Sequence, residues 1–386
     1  MRVLAWPGPK YVQQPYITQL YAHLTELGAE VTNFSPFAAV KKPFDVWHMH
    51  WPENRLIDPN PFWAGAQTAR LLGEMHVARM HGTKLVWTAH NLKQHEGRHP
   101  HLEPHFWRQF VRLLDGWIAL SPAGQQLAEE KFPYLKNVPC FIVPLGHYRG
   151  HYQDTATPAS ARRALGLSET ARVVSFVGHI RAYKNVPHLV RTFRQLPGDD
   201  ALLIVGRTKD AWLKSEIENA AGADPRVKLF LKFVPNDDLQ LYLRASNLVA
   251  LPYQDILNSS SAVLALSFDV PALVPARGAM GDLQRYAGRD WIKTFQGDMT
   301  AQTLDNALEW AATPRAAPKL DGLSWNIIAQ KTFSAYEVVC KGARTTAPQT
   351  VPAPLHRNLH NTLLPPRRRA LRPTLPLRKD RSLSEH

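Results

Sequence analysis

A chain of 386 residues is longer than one hydrophobic core ordinarily serves, so two domains of usual size are expected. Hydrophobic residues at 45% and charged residues at 20% exclude a largely disordered chain, and no apolar run approaches the roughly 18 residues of a membrane-spanning helix. The formal net charge of +14 is weighted to the end: beyond Thr350, Arg357, Arg367, Arg368, Arg369, Arg372, Arg378, Lys379 and Arg381 face only Asp380 and Glu385. Cys140 and Cys340 have no metal-ligand spacing and fit a reducing compartment as buried fillers. Met1–Trp6 meets Pro7-Gly8-Pro9 too early for a signal-peptide core, so export by that route is not expected.

In chain order, Arg2–Trp6 predicts a strand and Tyr16–Leu27 an amphipathic helix stopped by Gly28. Strands follow at Val31–Phe34, Asp45–His50 and Lys84–Thr88, with a long helix over Phe62–His81. A helix over Pro104–Leu114 precedes the strand Gly116–Leu120. Ser121-Pro122 then reads as an N-cap with proline at the first helical position, and Cys140–Val143 closes the set. This alternation predicts a parallel, doubly wound sheet. A polar, Ala/Thr-rich stretch over residues 150–168 reads as a linker, after which the pattern restarts. Strands are expected at Arg172–Val177, Ala201–Val205, Val227–Leu231, Leu248–Leu251 and Ala272–Val274, with Asn236 capping a helix to Ala245. Ser324–Val339 has the spacing of a final helix capped by Ser324. Beyond about residue 342 the Pro- and Arg-rich composition predicts disorder.

Four stretches carry candidate chemistry. In FVGHIRAYKNVPHLVRTF a buried strand delivers Gly178, and the loop behind it holds Arg181 and Lys184. Ligands of such sheets bind beyond the carboxyl ends of the strands, so both cations are placed to neutralise a diphosphate, although two solvated loop cations give the same pattern. In LPYQDILNSSSAVLAL, Tyr253 leads to Asn258, Ser259 and Ser260 at a helix start, where free N–H groups form an anion site, although plain serine capping gives the same pattern. In the first half, DVWHMHWPE holds His48, His50 and Glu53, and TAHNLKQHE holds His90, Asn91, His95 and Glu96. Imidazoles and carboxylates at strand ends are what a general base and sugar-hydroxyl ligands require, and neutral cleft histidines without a catalytic task are the alternative for any single one. These histidines stand in no zinc motif. The sequence also lacks a G-x-G-x-x-G after its first strand, a phosphate loop, an Asp-x-Asp and any nucleic-acid module.

The stretches QPYITQLYAHL, DVWHMHWPE, TAHNLKQHE, Gly146–Tyr148, IRAYKN and LPYQDILNSSSAVLALSFDVPALVP, in this order, resemble a GT-B glycosyltransferase over roughly Met1–Lys341. The likeness is to the bacterial exopolysaccharide β-mannosyltransferases of xanthan type, which use GDP-mannose and a lipid-diphosphate-linked oligosaccharide. The resemblance implies two Rossmann-like domains facing a central cleft: an acceptor domain over residues 1–150 and a nucleotide-sugar domain over residues 168–320. A helix over residues 321–342 would cross the junction, leaving a disordered tail over residues 343–386. It further implies that Arg181, Lys184 and the Asn258–Ser260 turn hold the donor diphosphate beside Gly178 and Tyr253, and that Val234 faces the base.

Retaining relatives carry two glutamates where Ile256 and Leu264 stand, which favours inversion. The usual Ser-Gly is Ser259-Ser260 here. The expected protein is therefore an inverting hexosyltransferase working without a metal or cofactor, cytoplasmic and held at the inner face of an anionic membrane. Glu53, His90 and Glu96 are its candidate bases, and His48, His50, Asn91 and His95 its acceptor ligands. A retaining or UDP-sugar enzyme, a non-catalytic sugar- or lipid-binding module and a basic nucleic-acid-binding protein are the rivals.

Overall fold

The computed structural model describes residues 1–35, 37–41, 43–94 and 97–342. Among the described residues, twelve strands form two six-stranded sheets in which every pairing is parallel. The first contains β1 (Arg2–Trp6), β2 (Glu30–Asn33), β3 (Val46–Met49), β4 (Lys84–Ala89), β5 (Gly116–Ala119) and β6 (Cys140–Ile142), in the order β2-β1-β3-β4-β5-β6. The second contains β7 (Val173–Val177), β8 (Ala201–Val205), β9 (Val227–Phe230), β10 (Leu248–Ala250), β11 (Ala272–Pro275) and β12 (Ile292–Phe295). Its order is β12-β11-β10-β7-β8-β9. Strand order reverses between β1 and β3 in one sheet and between β7 and β10 in the other. Those two points are where an open parallel sheet leaves a crevice for ligand.

Side-chain alternation assigns the faces of the first sheet. Leu4, Trp47, Met49, Leu85, Trp87 and Trp117 pack into one core, against the helices Pro61–Met80 and Leu102–Leu113. Val3, Ala5, Val46, Val86 and Ile118 face the other way, against the helices Pro15–Glu26 and Trp325–Cys340. The last helix thus returns to the N-terminal sheet. Trp325 donates its indole N–H to the His147 carbonyl at 2.7 Å. The parity that buries Val46 and Val86 also turns His48, Thr88 and the following His50 and His90 toward these two helices.

Several expectations need correction. The stretch read as a linker holds a helix, Pro158–Ala164, with a Thr157–Ser160 capping box. Ala161 is buried in the second core, and Gln240 accepts from the Thr155 and Ala156 amides at 2.8 and 2.9 Å. Its polar composition reflects an amphipathic helix on a lobe surface. Strand β12 was not anticipated, because Lys293 and Thr294 interrupt its apolar run. Asn236 opens a short 3-10 turn instead of capping a helix, and Ser324 precedes its helix without a side-chain capping bond. Cys340 is exposed and Cys140 half-buried, so neither is a buried filler. The tail expected to be disordered lies outside the described residues, as do His95 and Glu96. Among the described residues no helix is long and apolar enough to cross a membrane.

Candidate active site

The loop leaving β7 and the loop leaving β10 meet at the switch point of the second sheet. Gly178 has φ +139°, and a Cβ on it would stand 2.6 Å from Ser261 Oγ and 3.7 Å from Lys184 Nζ. Backbone, hydroxyl and ammonium therefore converge where only glycine fits. Lys184 is buried, its Nζ 5.2 Å from the centre of the Tyr253 ring and 5.8 Å from that of Phe176. Burial lowers its pKa, and among the described residues no carboxylate pairs with it. A buried cation without a counter-ion is costly unless an anion completes the site.

The other donor candidates take different parts. Ser259 accepts from the Ala262 amide at 3.1 Å, so its hydroxyl serves as the N-cap of the helix Ser260–Ser267. Ser260 is exposed at the first position of that helix, and Asn258 Nδ2 is buried without a partner among the described residues. Tyr253 is buried, which pushes its hydroxyl pKa up to about 12. Arg181 is exposed beside this group, and Val234 is half-buried after β9. Sequence reasoning missed Arg207 and Lys209 after β8. Burial lowers the His179 pKa, and Lys184, Arg207, Arg181 and Lys209 depress it further, so four cations share this strand-end edge. Missed, too, was Arg207 lying 6.0 Å from the centre of the exposed Phe233 ring. The clue was available in the basic residues following Gly206.

At the switch point of the first sheet, His48 and His50 are fully buried. His48 Nδ1 lies 2.6 Å from the Tyr336 hydroxyl and 3.3 Å from that of Tyr21, and its Nε2 lies 2.7 Å from Thr88 Oγ1. His50 Nε2 is 2.9 Å from the Tyr21 hydroxyl, and its Nδ1 is 3.1 Å from His90 Nε2. All four nitrogens of these two rings face protein atoms, which leaves no free ring nitrogen for the acceptor contact expected of them. Parallel-sheet burial on both faces hides that outcome from sequence. Burial lowers the pKa of His48 to about 3, aided by His90; it lowers that of His50 as well, and that of His90 to about 3. His90 is half-buried and stacked on Trp51, ring centres 4.5 Å apart.

Glu53 follows in the 3-10 turn Pro52–Leu56. Asn91 Nδ2 donates to its Oε1 at 2.8 Å, while its Oε2 is buried without a partner among the described residues. Burial raises the Glu53 pKa to about 8 against the lowering effect of the Asn91 bond. A buried carboxyl with one free oxygen is equipped for proton transfer near neutral pH.

The two switch points open on one cleft. Lys93, after β4, pairs with Asp255, after β10, at 2.5 Å. Asp282 accepts from the Ala123 amide at 2.9 Å, at the start of the helix Pro122–Lys131 that follows β5. Leu120 and Ser121 line one cavity together with Asn258, Ser259 and Asp282.

Two doubly wound lobes that turn their carboxyl-terminal strand ends to a shared cleft constitute the GT-B architecture. Solved structures agree on the fold. Sucrose-phosphate synthase from Thermosynechococcus elongatus superimposes with a TM-score of 0.62 at 16% identity, covering 89% of this chain and 99% of that one. Anabaena HepE, solved in complex with UDP and glucose, gives 0.55 at 15% identity, covering 88% and 97%. The family model for Glycosyl transferases group 1 matches residues 159–291. The GDP-mannose:glycolipid 4-beta-D-mannosyltransferase of Xanthomonas campestris pv. campestris is 30% identical over 334 residues, 85% of this chain and 89% of that protein. A D-inositol 3-phosphate glycosyltransferase from Mycobacterium sp. is 34% identical over 134 residues, 33% of this chain and 30% of that protein. The chain belongs to the group 1 glycosyltransferases and shares its family with the Xanthomonas mannosyltransferase.

Proposed function

We propose that this glycosyltransferase moves mannose from GDP-mannose to a lipid-diphosphate-linked oligosaccharide with inversion, in exopolysaccharide synthesis at the inner face of the cytoplasmic membrane. The observation that carries the donor half is the buried, unpaired Lys184 ammonium beside Gly178 and Ser261. With Arg181 it neutralises the diphosphate as the leaving group departs, a task that metal-dependent transferases give to a cation. Asn258 and Ser260 offer further polar contacts at the helix start, and Val234 lies on the loop expected to meet the base. The nature of the sugar and of the acceptor rests on the Xanthomonas relative.

On the acceptor side Glu53 is the base, with Asn91 orienting it. The ionised carboxylate takes the proton of an acceptor hydroxyl, and that oxygen attacks the anomeric carbon. The bond from carbon to diphosphate breaks, and its electron pair leaves on GDP. Inversion is supported by Ile256 and Leu264 standing where retaining relatives carry glutamates. The deciding experiment is a nucleotide panel followed by product analysis. GDP, and not UDP, should raise the melting temperature, and the product linkage read by NMR should be β. Stabilisation by UDP alone, or an α-linked product, would refute the donor or the mechanism respectively.

A further inference from the structure

The hydrogen-bond string at the ends of β3 and β4 has a direction that chemistry alone determines. His48, His50 and His90 are neutral, so each ring has one N–H and one lone pair. A phenol is a better donor than an imidazole N–H, and the imidazole lone pair a better acceptor than the phenol oxygen. Each tyrosine therefore gives its single O–H to an imidazole nitrogen. Tyr336 donates to His48 Nδ1 at 2.6 Å, which leaves His48 Nε2–H to donate to Thr88 Oγ1 at 2.7 Å. With that lone pair occupied and 3.3 Å away, Tyr21 donates instead to His50 Nε2 at 2.9 Å. His50 then holds its proton on Nδ1 and donates to His90 Nε2 at 3.1 Å. No other arrangement keeps both phenols as donors over their shorter contacts and matches the His48–Thr88 and His50–His90 pairs; the 3.3 Å approach of Tyr21 to His48 then carries no proton. The proton of His90 must sit on Nδ1, the nitrogen without a protein partner among the described residues.

We infer that His90 serves this enzyme as a fixed hydrogen-bond donor to a substrate oxygen, through Nδ1–H, and not as the proton-accepting base. Tyr21 and Tyr336 are positioning residues that select its tautomer from the interior. Tyr336 lies on the last helix, 288 residues from His48, so the C-terminal helix acts on the acceptor side of the cleft through this string. Trp51 holds the ring plane by stacking. Only the identity of the oxygen rests on the function proposed above; the tautomer does not.

The test is direct. In the full chain labelled with 15N-histidine, long-range 1H–15N spectra near pH 7.5 distinguish the two neutral tautomers, and the His90→Asn variant assigns the signal. Wild-type His90 should carry Nδ1–H, the minor form of a free neutral side chain. Tyr21→Phe removes the donor to His50 Nε2 and should move His90 toward Nε2–H. Tyr336→Phe should shift it the same way, because Tyr21 can then turn to His48, and it serves if Tyr21→Phe does not fold. Nε2–H in the wild type, or Nδ1–H unchanged in the folded tyrosine variants, would overturn the inference. So would a loss of about a hundredfold or more in kcat, at saturating acceptor, in both His90→Ala and His90→Asn, because that is the signature of a base. The expected kinetics are a raised acceptor KM in His90→Ala, partly restored in His90→Asn, whose amide supplies an N–H near the Nδ1 position. If the donor or acceptor is another molecule, the spectra still read out the tautomer.

Discussion

Asn91 donates its amide to Glu53 at 2.8 Å, so the loop after β4 holds the carboxyl supplied by the turn after β3. Burial places the Glu53 pKa at about 8 and the Asn91 bond pulls against that rise. A base must be ionised, so turnover should climb with pH and level off above about pH 8. Asn91→Ala removes a lowering influence and should push this limb to higher pH. Glu53→Gln should lose at least about a hundredfold in turnover and lose the limb, while GDP still binds. A pH-independent rate, or a limb unmoved by Asn91→Ala, would take the base role from Glu53.

Lys184 and Arg181 differ in setting, and their replacement should differ in consequence. Lys184 is buried against Tyr253 and Phe176, whereas Arg181 is exposed. A charge-assisted contact is worth roughly 1.5–3 kcal/mol. Lys184→Met should therefore weaken GDP binding by about that much while raising stability, since it removes an unpaired buried charge. Arg181→Ala should weaken binding less and leave stability unchanged. Calorimetric titration with GDP and thermal melting check both; equal GDP affinity in wild type and both variants would remove the cations from the donor site.

Folding stability should fall at both pH extremes, for opposite reasons. The buried histidines have folded pKa values below their unfolded value, so below about pH 6.5 the unfolded chain binds more protons and stability declines as pH drops toward 3. Glu53 has a folded pKa raised to about 8, so the folded state holds the extra proton between roughly pH 4.5 and 8, and stability declines as pH rises through that window. Glu53→Gln should consequently raise the melting temperature at about pH 8.5 more than at about pH 4.5. An equal shift at both pH values would mean that Glu53 is not perturbed.

Much of this architecture was legible in sequence, and the part that was not has physical causes. Ser121-Pro122 marked its helix correctly, since Ser121 accepts from the Gly124 amide. Gly178 and Lys184 could be placed at a strand end because the buried strand Val173–Val177 runs directly into the glycine and its loop. His48 and His50 could not be told from cleft residues, because a strand covered on both faces gives no polar–apolar contrast. Their partner Tyr336 is distant in sequence and looks like any apolar position of an amphipathic helix. Arg207 and Lys209 were passed over because they follow a strand with no motif attached.

The basic segment beyond residue 342 lies outside the described residues, and its composition motivates a membrane prediction. Basic residues near an anionic surface contribute about 1 kcal/mol each. A chain stopped after Gly342 should melt like the full chain but sediment less with vesicles containing anionic lipid. Unchanged vesicle binding would place the membrane contact elsewhere.

Two glycines, Gly178 and Gly146, separate packing from donor binding. An added methyl at Gly178 would stand 2.6 Å from Ser261 Oγ, in a backbone conformation that side chains rarely adopt. One at Gly146 would meet the Trp325 ring at 2.5 Å, at the junction with the last helix. Both substitutions to alanine should cost about 1–3 kcal/mol of stability, because the neighbours are packed and must shift. Their effects on donor binding should diverge. Gly178→Ala displaces Ser261 and the start of the helix Ser260–Ser267, and fills space beside the Lys184 ammonium, so GDP affinity should fall at least about tenfold, some 1.4 kcal/mol. Gly146→Ala disturbs the seat of Trp325 and should leave GDP affinity within about threefold of wild type. Titration at a temperature where both variants remain folded makes the comparison. Equal losses in the two would show that GDP affinity follows general stability, and the convergence of Gly178, Ser261 and Lys184 would then be packing with no role in holding a diphosphate.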